Sequence, residues 1–209
     1  MKKTLSLGLG ILALAGCVSV LPEPVVPDAL YRLNASAYEP SGEPVKLDYS
    51  VTVFEPEGSN LLLGKGIVYE SNSGGLSLYK SVQWSDSSSI QLQSLLLDRL
   101  AHRTPDSDGM ALSDRSAAFT PVEVRWQMRD FVVRDDEAVV SARVTIMTGR
   151  KRDVLAQFDV TEVQSYSGKP KEDGVLALID ASHQLVDEIA LRLPPIINQS
   201  ELIAESSRR

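Results

Sequence analysis

Hydrophobic residues follow two rhythms along this chain, one with a period of about 2 and one of about 3.6. Over residues 45–54 the alternation is regular: Val45, Leu47, Tyr49, Val51 and Val53 share one face, while Lys46, Asp48, Ser50 and Thr52 share the other. This pattern predicts a half-buried strand. Residues 29–37 read as an earlier strand, with Leu30 and Arg32 opposite Tyr31 and Leu33. Residues 61–70 read as a strand interrupted by Gly64 and Gly66, and 71–75 as a turn into a strand over 76–84. Three alternating runs follow: Val122, Val124, Trp126 and Met128; then Ala138 to Ile146 at every second position; then Ala156, Phe158 and Val160. The short, charged connections over 134–137 and 148–153 predict antiparallel hairpins or a meander.

Helical spacing occurs twice. Over 90–103, Leu92, Leu96 and Leu100 recur with Leu95 beside them, an apolar stripe that must pack on something. Ser87, Ser88 and Ser89 offer N-cap side chains ahead of it. The second run, to about Arg192, is marked by Val175, Leu178, Ile179, Leu185, Val186 and Ile189. Glu172 and Asp173 precede it, where carboxylates favour the positive end of the helix dipole, and Pro194-Pro195 is expected to end it. Residues 104–116 read as a polar loop with a short strand near Met110 to Leu112. The order predicts an α+β fold: a mostly antiparallel sheet with two amphipathic helices packed on one face.

The N-terminus changes the picture. Lys2 and Lys3 precede an apolar and small run from Leu5 to Gly16, the charged and hydrophobic regions of an export signal. That run falls short of the roughly 20 residues a spanning helix needs. It closes in Leu14-Ala15-Gly16-Cys17, which looks like a bacterial lipobox. An ordinary cleaved signal would leave Cys17 a bystander, but it is the chain's only cysteine and stands where lipidation needs a thiol. Residues 1–16 are therefore expected to be a signal peptide. Residues 17–28, with Pro22, Pro24 and Pro27, read as a lipidated extended tether. The periplasmic α+β domain is expected over 29–195 and a flexible polar tail over 196–209. Val18 follows the cysteine, where an aspartate would be the usual inner-membrane retention signal, and this favours the outer membrane.

Charge and chemistry narrow the function. Loss of Lys2 and Lys3 with the signal takes 21 cations against 28 carboxylates to 19 against 28, a net −9. Such a body is repelled by nucleic acid and anionic lipid surfaces, so membrane contact is expected to come from the acyl chains. Without a second thiol there is no intramolecular disulfide. Gly75-Leu76-Ser77-Leu78-Tyr79 lacks the closing glycine of a nucleophile elbow, Gly64-Lys65-Gly66 is a bend and not a phosphate cradle, and His102 and His183 have no metal-ligand spacing. Asp106, Asp108 and Gly109 faintly suggest a calcium loop but lack its remaining ligands. No catalytic residue, metal or cofactor is predicted. Trp84 and Trp126 lie on alternating strands, where core packing is the favoured reading over a ligand-facing aromatic site.

Tyr79-Lys80-Ser81-Val82-Gln83-Trp84-Ser85-Asp86 runs straight into Ile90-Gln91-Leu92 and Leu95-Leu96-Leu97-Asp98-Arg99-Leu100. This stretch resembles the ABC-type transport auxiliary lipoprotein family, in which a strand carrying Tyr and Trp-x-Asp hands over to a helix of the form L-x-x-x-L. Tyr31-Arg32-Leu33 and Ala177-Leu178-Ile179-Asp180-Ala181 agree with it. The resemblance implies a non-catalytic lipoprotein subunit of a lipid-transport system of the mammalian-cell-entry (MCE) type. It would sit on the outer membrane, docking a periplasmic MCE-domain protein that works with an ABC permease and ATPase, and some members assemble as homo-oligomeric rings. The positions carried over are Tyr79, Trp84 and Asp86, either as structural residues of the strand-to-helix corner or as partner contacts; Asp86 is also placed to help cap the helix. The alternative function is a stand-alone periplasmic lipoprotein that binds a lipid or small ligand.

Overall fold

The structure is a computed structural model in which residues 26–33 and 43–199 are described. The expected signal, Cys17, most of the tether and residues 200–209 lie outside them. The strands are β1 (Ala29–Tyr31), β2 (Val51–Val53), β3 (Gly66–Glu70), β4 (Leu76–Trp84), β5 (Ala111–Ser113), β6 (Val122–Val133), β7 (Glu137–Thr148) and β8 (Val154–Ser165). The helices are α1 (Asn60–Leu63), α2 (Ser88–Ala101) and α3 (Asp173–Asn198).

The α+β class is as expected, but the sheet is mixed and not mostly antiparallel. The β6–β7, β7–β8 and β3–β4 pairs are antiparallel. β1 runs parallel to β4, β2 parallel to both β5 and β6, and β3 parallel to β6. The cause is the length of β6. One edge carries the hairpin partner β7, and the other has room for two short strands end to end, β2 beside residues 122–124 and β3 beside 132–133. Alternation tells which residues face inward, not which way a strand runs. Short turns reveal antiparallel pairs, and parallel pairs leave no such mark.

Three further expectations are corrected. The strand over 45–54 shrinks to Val51–Val53, because the preceding backbone pairs with an irregular loop: Val45 N–H donates to His102 O at 3.1 Å and Gly109 N–H to Leu47 O at 2.8 Å. Gly109 is required there, since a Cβ would stand 2.2 Å from the Tyr49 carbonyl carbon. Val45 and Leu47 are buried all the same, so the alternation marked burial correctly without marking a ladder. The first part of the strand expected over 61–70 is instead the single turn α1, whose N-cap Ser59 accepts from Leu62 N–H at 3.3 Å and whose Leu62 and Leu63 are both buried. Helix α3 runs through Pro194 and Pro195 to Asn198, which also takes residues 196–198 out of the expected tail. Prolines remove two backbone donors from the helix, but the apolar stripe continues through Leu193 and Ile197, both buried.

β4 and α2 form as expected, within two residues at each helix end. Of the three candidate capping serines, Ser87 occupies the N-cap but its hydroxyl bonds to Ser89 Oγ at 3.3 Å and caps no backbone N–H, and Ser88 Oγ donates instead to Leu62 O at 2.9 Å, tying α2 to α1. Leu92, Leu95, Leu96 and Leu100 are fully buried. α2 and α3 pack against each other, α3 also against β6, β7 and β8, and α2 against β2 and β5.

Candidate docking surface

The β4-to-α2 corner carries the positions singled out by sequence, and the structure gives them three different jobs. Trp84 ends β4 with no exposed surface and stacks on Phe131, ring centroids 5.5 Å apart. Its indole N–H has no partner among the described residues. Asp86 is exposed two residues later. Its Oδ1 accepts from Ser87 N–H at 2.8 Å and lies 4.0 Å from Lys65 Nζ, and its carbonyl accepts from Gln91 Nε2 at 2.9 Å. It braces the entry to α2, as a residue just ahead of a helix can. Trp126 is also a core residue, its indole N–H donating to Phe54 O at 2.7 Å.

Tyr79 sits higher on β4, half-buried beside Tyr69 at 5.9 Å between centroids. Tyr69 donates to Asp135, and Tyr166 donates to Arg134 O. The Tyr79 hydroxyl is enclosed without a partner among the described residues. Burial, then the neighbouring Tyr166, pushes the Tyr79 phenol up, and burial with Asp135 pushes Tyr166 to about 12. The folded state therefore holds these protons more tightly than the unfolded chain, whose phenols titrate near ~10. Their contribution to stability is complete below that value and is lost as pH climbs, through about 12 for Tyr166 and above that for Tyr79. Tyr79→Phe is expected to remove an unpaired buried hydroxyl at little or no cost in stability and to soften the alkaline fall in denaturation midpoint. A large loss of stability at neutral pH would refute this placement.

Sequence reading missed the most deeply buried charge among the described residues. Arg99 has no exposed surface; its Nε donates to Asp187 on α3 and its Nη2 to Glu43 O at 2.9 Å. A signal was available, because Arg99 follows Leu92, Leu95 and Leu96 at helical spacing and so interrupts the apolar stripe. His102 is the C-cap of α2, while His183 Nε2 lies 2.7 Å from Leu33 O and joins α3 to the segment after β1. The faint calcium loop is an ion pair, Lys46 Nζ lying 2.9 Å from Asp106. Thr104 and Lys46 together hold that carboxyl down at about 2. No group of three metal-ligating side chains is found among the described residues. Nor is any described helix long and apolar enough to cross a membrane.

Open clefts flank the ridge over residues 55–63. One, of about 630 Å³, is lined by Glu57, Leu62, Glu70, Leu76, Arg129 and Asp130. A second, of about 520 Å³, is lined by Glu55, Glu57, Asn60, Ser87 and Ser89 among others. On the sheet face away from Val124, Trp126 and Val144, polar side chains predominate, with Asp159 bonded to Arg143 at 2.8 and 3.0 Å and 3.5 Å from Arg129. These are charged, solvent-facing surfaces.

The fold and its surfaces define a sheet-and-helix domain that presents polar faces and open clefts. The chain belongs to the family of ABC-type transport auxiliary lipoprotein components, whose family model matches residues 31–190. The resemblance read from the β4–α2 stretch is thus sound. The family's description makes the chain a lipoprotein of the cell envelope associated with ABC-type transport, and it names no reaction. No curated protein matches. Among solved structures, protein XCC0632 from Xanthomonas campestris, of family DUF330, has a similar fold: TM-score 0.65 at 13% identity, over 84% of this chain and 98% of that one. An uncharacterised protein gives a TM-score of 0.61 at 14% identity, over 80% of this chain and 99% of that one.

Proposed function

We propose that this chain is a non-catalytic outer-membrane lipoprotein subunit of an ABC/MCE-type lipid transport system, docking the periplasmic MCE-domain component to the outer membrane. The family match across nearly the whole described domain carries this reading. Cys17 supplies the anchor and Val18 the outer-membrane preference. The larger of the two clefts supports a protein partner over a carried lipid. It is open to water and edged by Glu57, Glu70, Arg129 and Asp130, whereas an acyl chain calls for a concave, predominantly apolar lining.

Capture of the tagged, full-length lipoprotein from mild-detergent extracts is the test. The MCE-domain protein is expected to co-elute, with the permease and ATPase behind it. Elution of the lipoprotein without any of them, from cells shown to express all of them, would overturn the proposal.

A further inference from the structure

On this acidic chain, cations gather at one end of the sheet. The β7–β8 turn carries Arg150, Lys151 and Arg152, all exposed, and none of them pairs with a carboxylate among the described residues. Elsewhere on the sheet, Arg143 of β7 and Arg129 of β6 meet Asp159, and Arg134 in the β6–β7 turn meets Glu70 and Glu137. The turn thus holds three cations against one exposed carboxylate, Asp153, with no ion pair between them, while these cations elsewhere on the sheet are matched.

Two further observations mark the turn. Arg152 has φ 57, a left-handed backbone that glycine would adopt at less cost. The chain keeps a cation at a position that favours glycine. Beside it, Phe119 is 62% exposed and the Arg150 guanidinium lies 5.3 Å over its ring. The pieces form one platform, since Gly149 N–H donates to Pro121 O at 2.8 Å and a Cβ on Gly149 would stand 2.1 Å from Thr120 O. Val154, 59% exposed, extends the apolar surface at the start of β8.

The platform lies away from the chain's entry into the domain. Asp28 is 3.6 Å from Lys171 in the segment after β8, and β1 pairs with the end of β4 that faces the upper part of β6. The β7–β8 turn is at the opposite end of β6, whose 12 residues span about 36 Å at roughly 3.3 Å per residue. A tether leading from the Asp28 end would leave this turn pointing away from the membrane that holds it.

We infer that the Arg150–Arg152 turn, with Phe119 beside it, is a docking point for an acidic segment of a protein partner, one carboxylate-rich stretch that also lays an apolar side chain on the phenyl ring. The inference rests on the proposed docking role and gives it a surface. Unpaired cations attract and orient an acidic partner, and an exposed aromatic with an arginine over it is a usual anchor at interfaces. An anionic membrane is the less suitable occupant, because the rest of the body is acidic and repelled by such a surface.

The experiment compares full-length wild type with Arg150→Glu/Lys151→Glu, Phe119→Ala and Arg152→Gly, using the MCE-domain protein as capture probe at low and high salt. Vesicles of phosphatidylglycerol and phosphatidylcholine serve as a second probe, offered to the same variants in a Cys17→Ser background so that acyl chains do not mask binding through the turn. Charge reversal is expected to weaken protein capture by about tenfold or more and to remove most of its salt dependence. Arg152→Gly is expected to weaken capture while leaving the thermal midpoint unchanged or higher, a combination that damage to folding would not produce. If wild type and the reversed variant capture the probe equally, the assignment of this surface is wrong while the docking role stands. If wild type captures nothing, the docking role fails and takes the surface with it. If reversal abolishes only vesicle binding, the surface belongs to a membrane and the inference is overturned.

Discussion

Replacing Asp187 by alanine is expected to cost the folded state about 3–5 kcal/mol, the penalty for leaving a buried charge without its counterion. Arg99 has no exposed surface, and its Nη1 already lacks a partner among the described residues. Removing Asp187 leaves Glu43 O as the one remaining acceptor described for this guanidinium. Against a typical domain stability of about 5–15 kcal/mol, the loss is roughly a fifth or more of the total, and α2 and α3 lose the ion pair between them. The double change Arg99→Met/Asp187→Leu is expected to recover most of it, since apolar side chains of similar volume can replace a buried ion pair at little cost. Urea denaturation decides the matter: the midpoint falls for the single variant and returns for the double one, with an unchanged slope. A single-variant cost below about 1 kcal/mol would mean that the pair is solvated and behaves like a surface salt bridge.

What could be read from the sequence followed from local spacing. β4, the β6–β7–β8 meander and α2 were legible because alternation, leucine spacing and short turns are all written within a dozen residues. Arg99 and Asp187 stand 88 positions apart, and nothing local shows that they meet. The parallel pairs of β1, β2 and β3 were hidden for the same reason, each joining short segments brought together by the fold. α1 and the end of α3 failed differently: tertiary burial of Leu62, Leu63, Leu193 and Ile197 overrode local signals that pointed to a strand and to a helix stop. Of the corner residues, Tyr79, Trp84 and Asp86 come together only through the family resemblance of one strand-to-helix stretch. In space they divide among a tyrosine cluster, the core and a helix entry, so nothing in their geometry makes them a single site. The cationic turn was visible as composition, but its significance depends on Phe119, 31 positions before Arg150, lying beside it.

The second large effect concerns the proposed anchor at Cys17. Acyl chains contribute about 0.8 kcal/mol for each methylene buried in the bilayer, and two or more chains hold a protein there stably. The chain carries net negative charge, so an anionic lipid surface repels it and does not help to retain it. Cys17→Ser is therefore expected to move essentially all of the processed protein from the membrane to the soluble periplasmic fraction, while capture of the MCE-domain protein in solution persists. The decisive measurement is fractionation of wild type and Cys17→Ser in cells lacking that partner, which removes tethering through it. Wild type in the outer-membrane fraction and the serine variant in the soluble fraction is the predicted result. Signal-cleaved Cys17→Ser protein remaining with the membranes would contradict the account.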